Sequence, residues 1–241
     1  MGESYSILWQ EACPSLNASS SNMHEGAKTS IPHTLTTEYG MHVFRSRLWA
    51  EDELRHVLEA VQDLATLMGG ATKFRRELGR VFLWRAPFRT SMAAMAAPLV
   101  DVVYFKGASW GDPPEFLWQT VHELAHVWDI HSFYGLSRGL KNATGGRLGR
   151  LRWQLPIPFE YDPGESWLKG RRPPLNSLED WADSVATYVY PDHAECARGG
   201  PRLISPVRWN YIRDQMQIRL PYPPQWIPHF YGPEGSGAPQ V

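Results

Sequence analysis

The stretch Thr120-Val121-His122-Glu123-Leu124-Ala125-His126-Val127-Trp128-Asp129 contains the pattern H-E-x-x-H. Two histidines four positions apart on a helix stand one turn apart on the same face, so both imidazoles can reach one zinc ion. Glu123, directly after the first histidine, can face a metal-bound water. These are the ligand pair and the general base of a zinc hydrolase. The flanks read as one helix. Asp112 serves as N-cap, Pro113 takes the first helical position, and Glu115 closes a capping box. From Phe116 to Trp128 there is no Gly or Pro, and Phe116, Leu117, Val121, Leu124, Ala125 and Trp128 recur as in a buried helix. The only charged residue between Phe116 and Val127 is Glu123. A glutamate in such an apolar run is costly without a partner, and a metal site supplies one. The bland competitor is a core helix with two satisfied histidines and a glutamate at its rim.

The rest of the chain narrows the setting. It has 241 residues, 43% hydrophobic and 20% charged, enough for a sizeable core. A net charge of −1 gives no argument for a nucleic-acid partner or an acidic membrane. The eleven tryptophans are dispersed and suit core and cleft wall rather than a base-stacking platform. The two cysteines, Cys13 and Cys196, exclude a four-cysteine or two-cysteine, two-histidine zinc framework. Cys13-Pro14 is at most a weak cue for a latent, cysteine-blocked site. No apolar run is long enough to span a bilayer, and the N-terminus lacks a signal-peptide pattern. The expected location is therefore the cytoplasm, or outside by an unconventional route. Met1-Gly2 with Ser6 fits only the loose myristoylation pattern.

Taken in order, residues 1–40 read as a flexible N-terminal arm rich in Ser, Thr and Asn, with a propeptide role open. Residues 41–220 read as a single domain, and residues 221–241 as an extended Pro-rich tail. Short strands are expected at 41–46, 80–85 and 99–106. A helix is expected over Glu51–Met68, stopped by Gly69-Gly70. Thr90 to Ala97 reads as a rim loop. Ser132 to Ser177 reads as a long polar lid or a partly disordered stretch, with a basic set around Arg138, Lys141, Arg147, Arg150 and Arg152. Helices return at 178–190, capped by Asn176 or Ser177, and from Ser205-Pro206 onward.

A catalytic zinc needs a third protein ligand and one open position. An extension with Gly three and His six residues after His126 fails, because those positions are Asp129 and Ser132. The other route is a glutamate from a later helix, and Glu179 is the best placed. Asp183 follows one turn later on the same face and can receive the outer ring N–H of a ligating histidine. The bland alternative is that Glu179 and Asp180 merely favour a helix N-terminus. Rival ligands are Glu160, Asp162, Glu165, His193 and Glu195. Asp129, one turn past His126, is placed in the outer shell, and His131 at the helix end.

Together, His122-Glu123-Leu124-Ala125-His126-Val127-Trp128-Asp129 and Glu179-Asp180-Trp181-Ala182-Asp183-Ser184-Val185 resemble the zincin metallopeptidases. The resemblance is to the gluzincin branch, most like the catalytic domain of anthrax lethal factor and related predicted bacterial peptidases. It covers about residues 45–217, although its specific motifs lie on two helices only. It implies His122, His126 and Glu179 as zinc ligands and Glu123 as general base and proton shuttle. The family carries a tyrosine seven residues before the glutamate ligand, and here that position is Arg172. Tyr161, Tyr190 or Arg172 itself are the substitutes to consider for stabilising an oxyanion.

The expected fold is α+β of zincin type, a small twisted sheet packed on the H-E-x-x-H helix and a glutamate-bearing helix. The strand at 99–106 would line the cleft and pair with an extended peptide. The expected activity is zinc-dependent hydrolysis of peptide bonds, by a monomer acting on a peptide or protein, without nucleic-acid or membrane partners. The competing class is a zinc-stabilised binding or toxin-accessory domain without turnover. A chance motif in a structural protein is a third.

Overall fold

The computed structural model describes residues 30–89, 94–97, 101–106, 113–151, 159–162, 176–191 and 204–221. Residues 31–39, inside the stretch read as an arm, instead form helix α1 (Ile31–Tyr39). Pro32 fixes its first turn, and Gly40 ends it at φ 72°. Only Leu35 and Tyr39 of this helix are buried. Two apolar anchors among threonines are too sparse a period to read, which is why the helix was missed. Residues 1–29, with Cys13, and the tail from 222 lie outside the described residues.

Strand β1 (Met41–Val43) is shorter than expected and gives way to a 3-10 turn at Ser46–Leu48. Helix α2 (Glu51–Met68) follows, with three acidic residues in its first turn. The Glu53 carboxylate accepts the Ala50 N–H at 2.9 Å. Leu54, Val57, Val61, Leu64 and Met68 are buried along one face, and Gly69, at φ 103°, stops the helix. Helix α3 (Ala71–Leu78) and strand β2 (Val81–Arg89) come next.

Strand β3 (Ala94–Ala97) replaces part of the expected rim loop, and β4 (Asp101–Lys106) is the expected third strand. Alanine, three of its four residues, is a poor strand former, so only pairing with β4 reveals β3. Asp101 opens β4 with a left-handed φ of 55°, and its carboxylate accepts the Phe82 N–H at 2.7 Å. The sheet runs β1-β2-β4-β3. The first three strands are parallel and β3 is antiparallel to β4. β4 is therefore flanked on both sides and cannot offer its edge to a peptide; among the described residues that edge belongs to β3. Met41, Val81, Leu83, Val102 and Tyr104 share one face and are buried in the core that includes residues of α2 and of the H-E-x-x-H helix.

Helix α4 (Pro113–His131) carries the H-E-x-x-H pattern; its expected cap, Asp112, lies outside the described residues. The stretch expected to be a lid contains helix α5 (Gly135–Ala143) and an antiparallel pair, β5 (Arg147–Leu151) with β6 (Phe159–Asp162). Helix α6 (Ser177–Val189) is capped by Asn176, whose side chain accepts from the N–H groups of Leu178 and Glu179 at 2.9 and 3.0 Å. Helix α7 (Pro206–Gln215) is capped by Ser205, with Pro206 in its first turn. α6 packs along α4, with α5 and α7 on its other sides. The architecture is α+β. No helix among the described residues is long and apolar enough to cross a membrane.

Candidate metal centre

Helix periodicity places His122 and His126 one turn apart on α4, and their Nε2 atoms lie 3.1 Å from each other. From α6, Glu179 reaches both. Its Oε2 is 3.4 Å from His122 Nε2, and its Oε1 is 3.5 Å from His126 Nε2. With metal–ligand bonds of roughly 2.0–2.1 Å, the edges of a coordination tetrahedron measure about 3.3–3.4 Å. The separation of the two histidine nitrogens fits that figure within a few tenths of an ångström, while Glu179 faces each of them with a different oxygen. These three residues form a group that could hold a metal ion. Two imidazoles and a carboxylate suit zinc, and three protein ligands leave a fourth position open.

Asp183 Oδ1 lies 3.0 Å from His122 Nδ1, on the far side of the ring from Glu179. Such a carboxylate fixes ring orientation, with Nε2 turned toward Glu179 and His126. Burial opposes a charge on His122, but Asp183, Glu179 and Glu123 outweigh it and push its pKa up to about 10. Burial likewise disfavours a charged Glu179, yet His122 and His126 hold its carboxyl well below the usual carboxylate range. The three side chains thus form a compact ion cluster.

Glu123 is buried beside the cluster, and the Gln119 side-chain amide donates to its Oε1 at 2.8 Å. The Trp118 ring stacks on His122 with centroids 5.4 Å apart. Neither neighbour was singled out from the sequence, although Gln119 stands one turn before Glu123 and the i, i+4 spacing was legible. Two further contacts were missed because they join distant segments. The Trp181 indole N–H donates to the Ala125 carbonyl at 2.9 Å. Arg208 grips Asp180 with two bonds of 2.8 and 3.0 Å, both side chains fully buried.

Other expected residues lie elsewhere. Asp129 was expected behind His126. Its Oδ1 instead accepts the N–H groups of Leu136 and Ser137 at 3.1 and 2.9 Å, capping the start of α5. The chain makes that turn through Phe133 and Tyr134 at φ 54° and 60°, which swing α5 under Asp129. Tyr190, a candidate oxyanion donor, gives its hydroxyl to Asp63 Oδ2 on α2 at 2.7 Å. His131 ends α4 against Gly79. Asp162 is exposed on β6 and is not in the converging group. The side chains of Glu160 and Tyr161, and all of Glu165, Arg172, His193, Glu195 and Cys196, lie outside the described residues. Comparison of the chain with protein-family models, curated proteins and solved structures gives no match.

Proposed function

We propose that this chain is a zincin-type peptidase that uses zinc held by His122, His126 and Glu179 to hydrolyse peptide bonds, with Glu123 as the general base. The observation that carries the reading is the convergence of three ligand-type side chains: the two histidine Nε2 atoms stand 3.1 Å apart, and Glu179 turns one carboxylate oxygen to each, at 3.4 and 3.5 Å. Bound zinc would supply a Lewis acid that makes water nucleophilic near neutral pH. Glu123 stands next to the first ligand and would take a proton from that water and return it to the leaving amine. Gln119 holds one Glu123 oxygen and so limits how far the carboxylate can rotate. Asp183 keeps the His122 ring in register. Strand β3 packs against α4, and its outer edge, unpaired among the described residues, would offer backbone groups to an extended chain.

A zinc-stabilised binding domain without turnover is the second reading. It is favoured by the bond from Tyr190 to Asp63, which draws one candidate oxyanion donor away. Glu123→Gln separates the two. On the peptidase reading the variant binds zinc like the parent and loses hydrolysis of labelled casein by about 100-fold or more. A zinc-loaded parent that leaves casein and other unfolded chains intact supports the binding domain. Full activity in Glu123→Gln contradicts the assignment of the base.

A further inference from the structure

We infer that Trp181 is a positioning residue for the metal centre: its indole N–H, bonded to the Ala125 carbonyl, sets where the Glu179 carboxylate meets the two histidines. The inference rests on the zinc-site reading. Two of the three ligands are fixed to each other by one helix. The third comes from α6, so the centre is only as well defined as the offset between α4 and α6. The buried residues of the two helices include small and apolar ones, Val121, Leu124 and Ala125 on α4 and Ala182, Val185 and Ala186 on α6. Such packing lets the helices approach closely but is non-directional and tolerates sliding.

The Trp181 bond is directional. It spans 2.9 Å, lies in the interior, and joins the residue two after Glu179 to the residue just before His126. The indole is held edge-on by Trp128 and Tyr211, at centroid distances of 5.4 and 6.3 Å. From α7, Arg208 holds Asp180 by a two-bonded fork, which opposes rotation of the helix. Three consecutive residues thus have three separate tasks. Glu179 meets the histidines, Asp180 locks α6 to α7, and Trp181 locks α6 to the backbone of the metal helix.

The test compares the full-length parent, Trp181→Phe and Ile212→Val, a core control on α7. Trp181→Phe keeps an aromatic ring and removes the donor. Zinc affinity is measured by competition with a chromophoric chelator, and ligand geometry by the visible bands of the cobalt(II) form. Trp181→Phe is expected to raise the zinc Kd about 5- to 10-fold, as loss of one buried hydrogen bond implies, and to shift the cobalt bands. Ile212→Val is expected to lower Tm while leaving both readouts unchanged. Parent-like Kd and cobalt bands in Trp181→Phe overturn the inference, whatever its Tm. If Trp181→Phe does not fold, indole hydrogen exchange in the parent decides. Zinc should slow exchange at Trp181 more than at Trp209, whose indole bonds Leu220 instead; equal slowing overturns the inference. A parent that takes up no zinc overturns the zinc-site reading and this inference with it.

Discussion

At the scale of single residues, His122 is the most constrained member of the centre. It touches Glu179 on one nitrogen, Asp183 on the other, and the Trp118 face. Asp183→Asn removes the anion behind the ring and should raise the zinc Kd about 10- to 100-fold while the fold persists. Unchanged zinc affinity would show that Asp183 does not tune the ligand. The zinc-free protein carries a pH signature as well. The pKa of His122 is raised from 6.5 to about 10, so its stabilisation is complete below pH 6.5 and is lost as pH climbs through about 10. Glu179 is lowered from 4.5, so its stabilisation is present above that pH and is lost as pH falls further. In chelator, the difference in urea midpoint between the parent and His122→Gln should be greatest between these two ordinary values and shrink toward pH 10. A difference that grows above pH 6.5 contradicts the cluster. His122, His126, Glu179 and Asp183 could be singled out in the sequence because helix spacing alone aligns each pair. Asp129 was misplaced because its partners lie across a turn made by two non-glycine residues at positive φ, which no local pattern announces.

At the scale of elements, α6 is the keystone, since it brings Glu179 and Asp183 to α4 and Asp180 to α7. The Asp180–Arg208 pair is fully buried, so removing one partner leaves a buried charge without the counter-charge of that pair. Arg208→Met should cost roughly 3–5 kcal/mol of stability. Combining it with Asp180→Leu should recover much of that loss, because an apolar pair of similar volume suits a dry interior. Chemical denaturation of both singles and the double gives the coupling; strictly additive losses would mean that the pair is not a unit. Helices α2, α4, α6 and α7 were legible because start and stop residues agree with a sustained apolar period. α1 and α5 were not, the first for having only two buried residues and the second because Gly135 and Gly139 read as loop. Gly139 is there for packing: a β-carbon would collide with the Tyr211 hydroxyl. β3 was hidden for the opposite reason, being a strand made of residues with little strand preference.

At the scale of the whole molecule, a four-stranded sheet supports α4 from one side, and α6, held by α7, closes on it from the other. The presence of both strands and helices in the chain is legible from hydrophobic period. The order of strands does not follow from it, because the choice of edge strand is a long-range decision. That is why β4 was first given the role that its position denies it. The site depends on both levels: local spacing supplies two histidines, and tertiary packing supplies the glutamate from more than fifty residues away. The most direct test of this account is zinc content per chain, measured on the full-length protein after reconstitution and dialysis, beside Glu179→Ala. The account predicts about one zinc in the parent and a large loss in the variant. No zinc in the parent, or equal zinc in both, would contradict it.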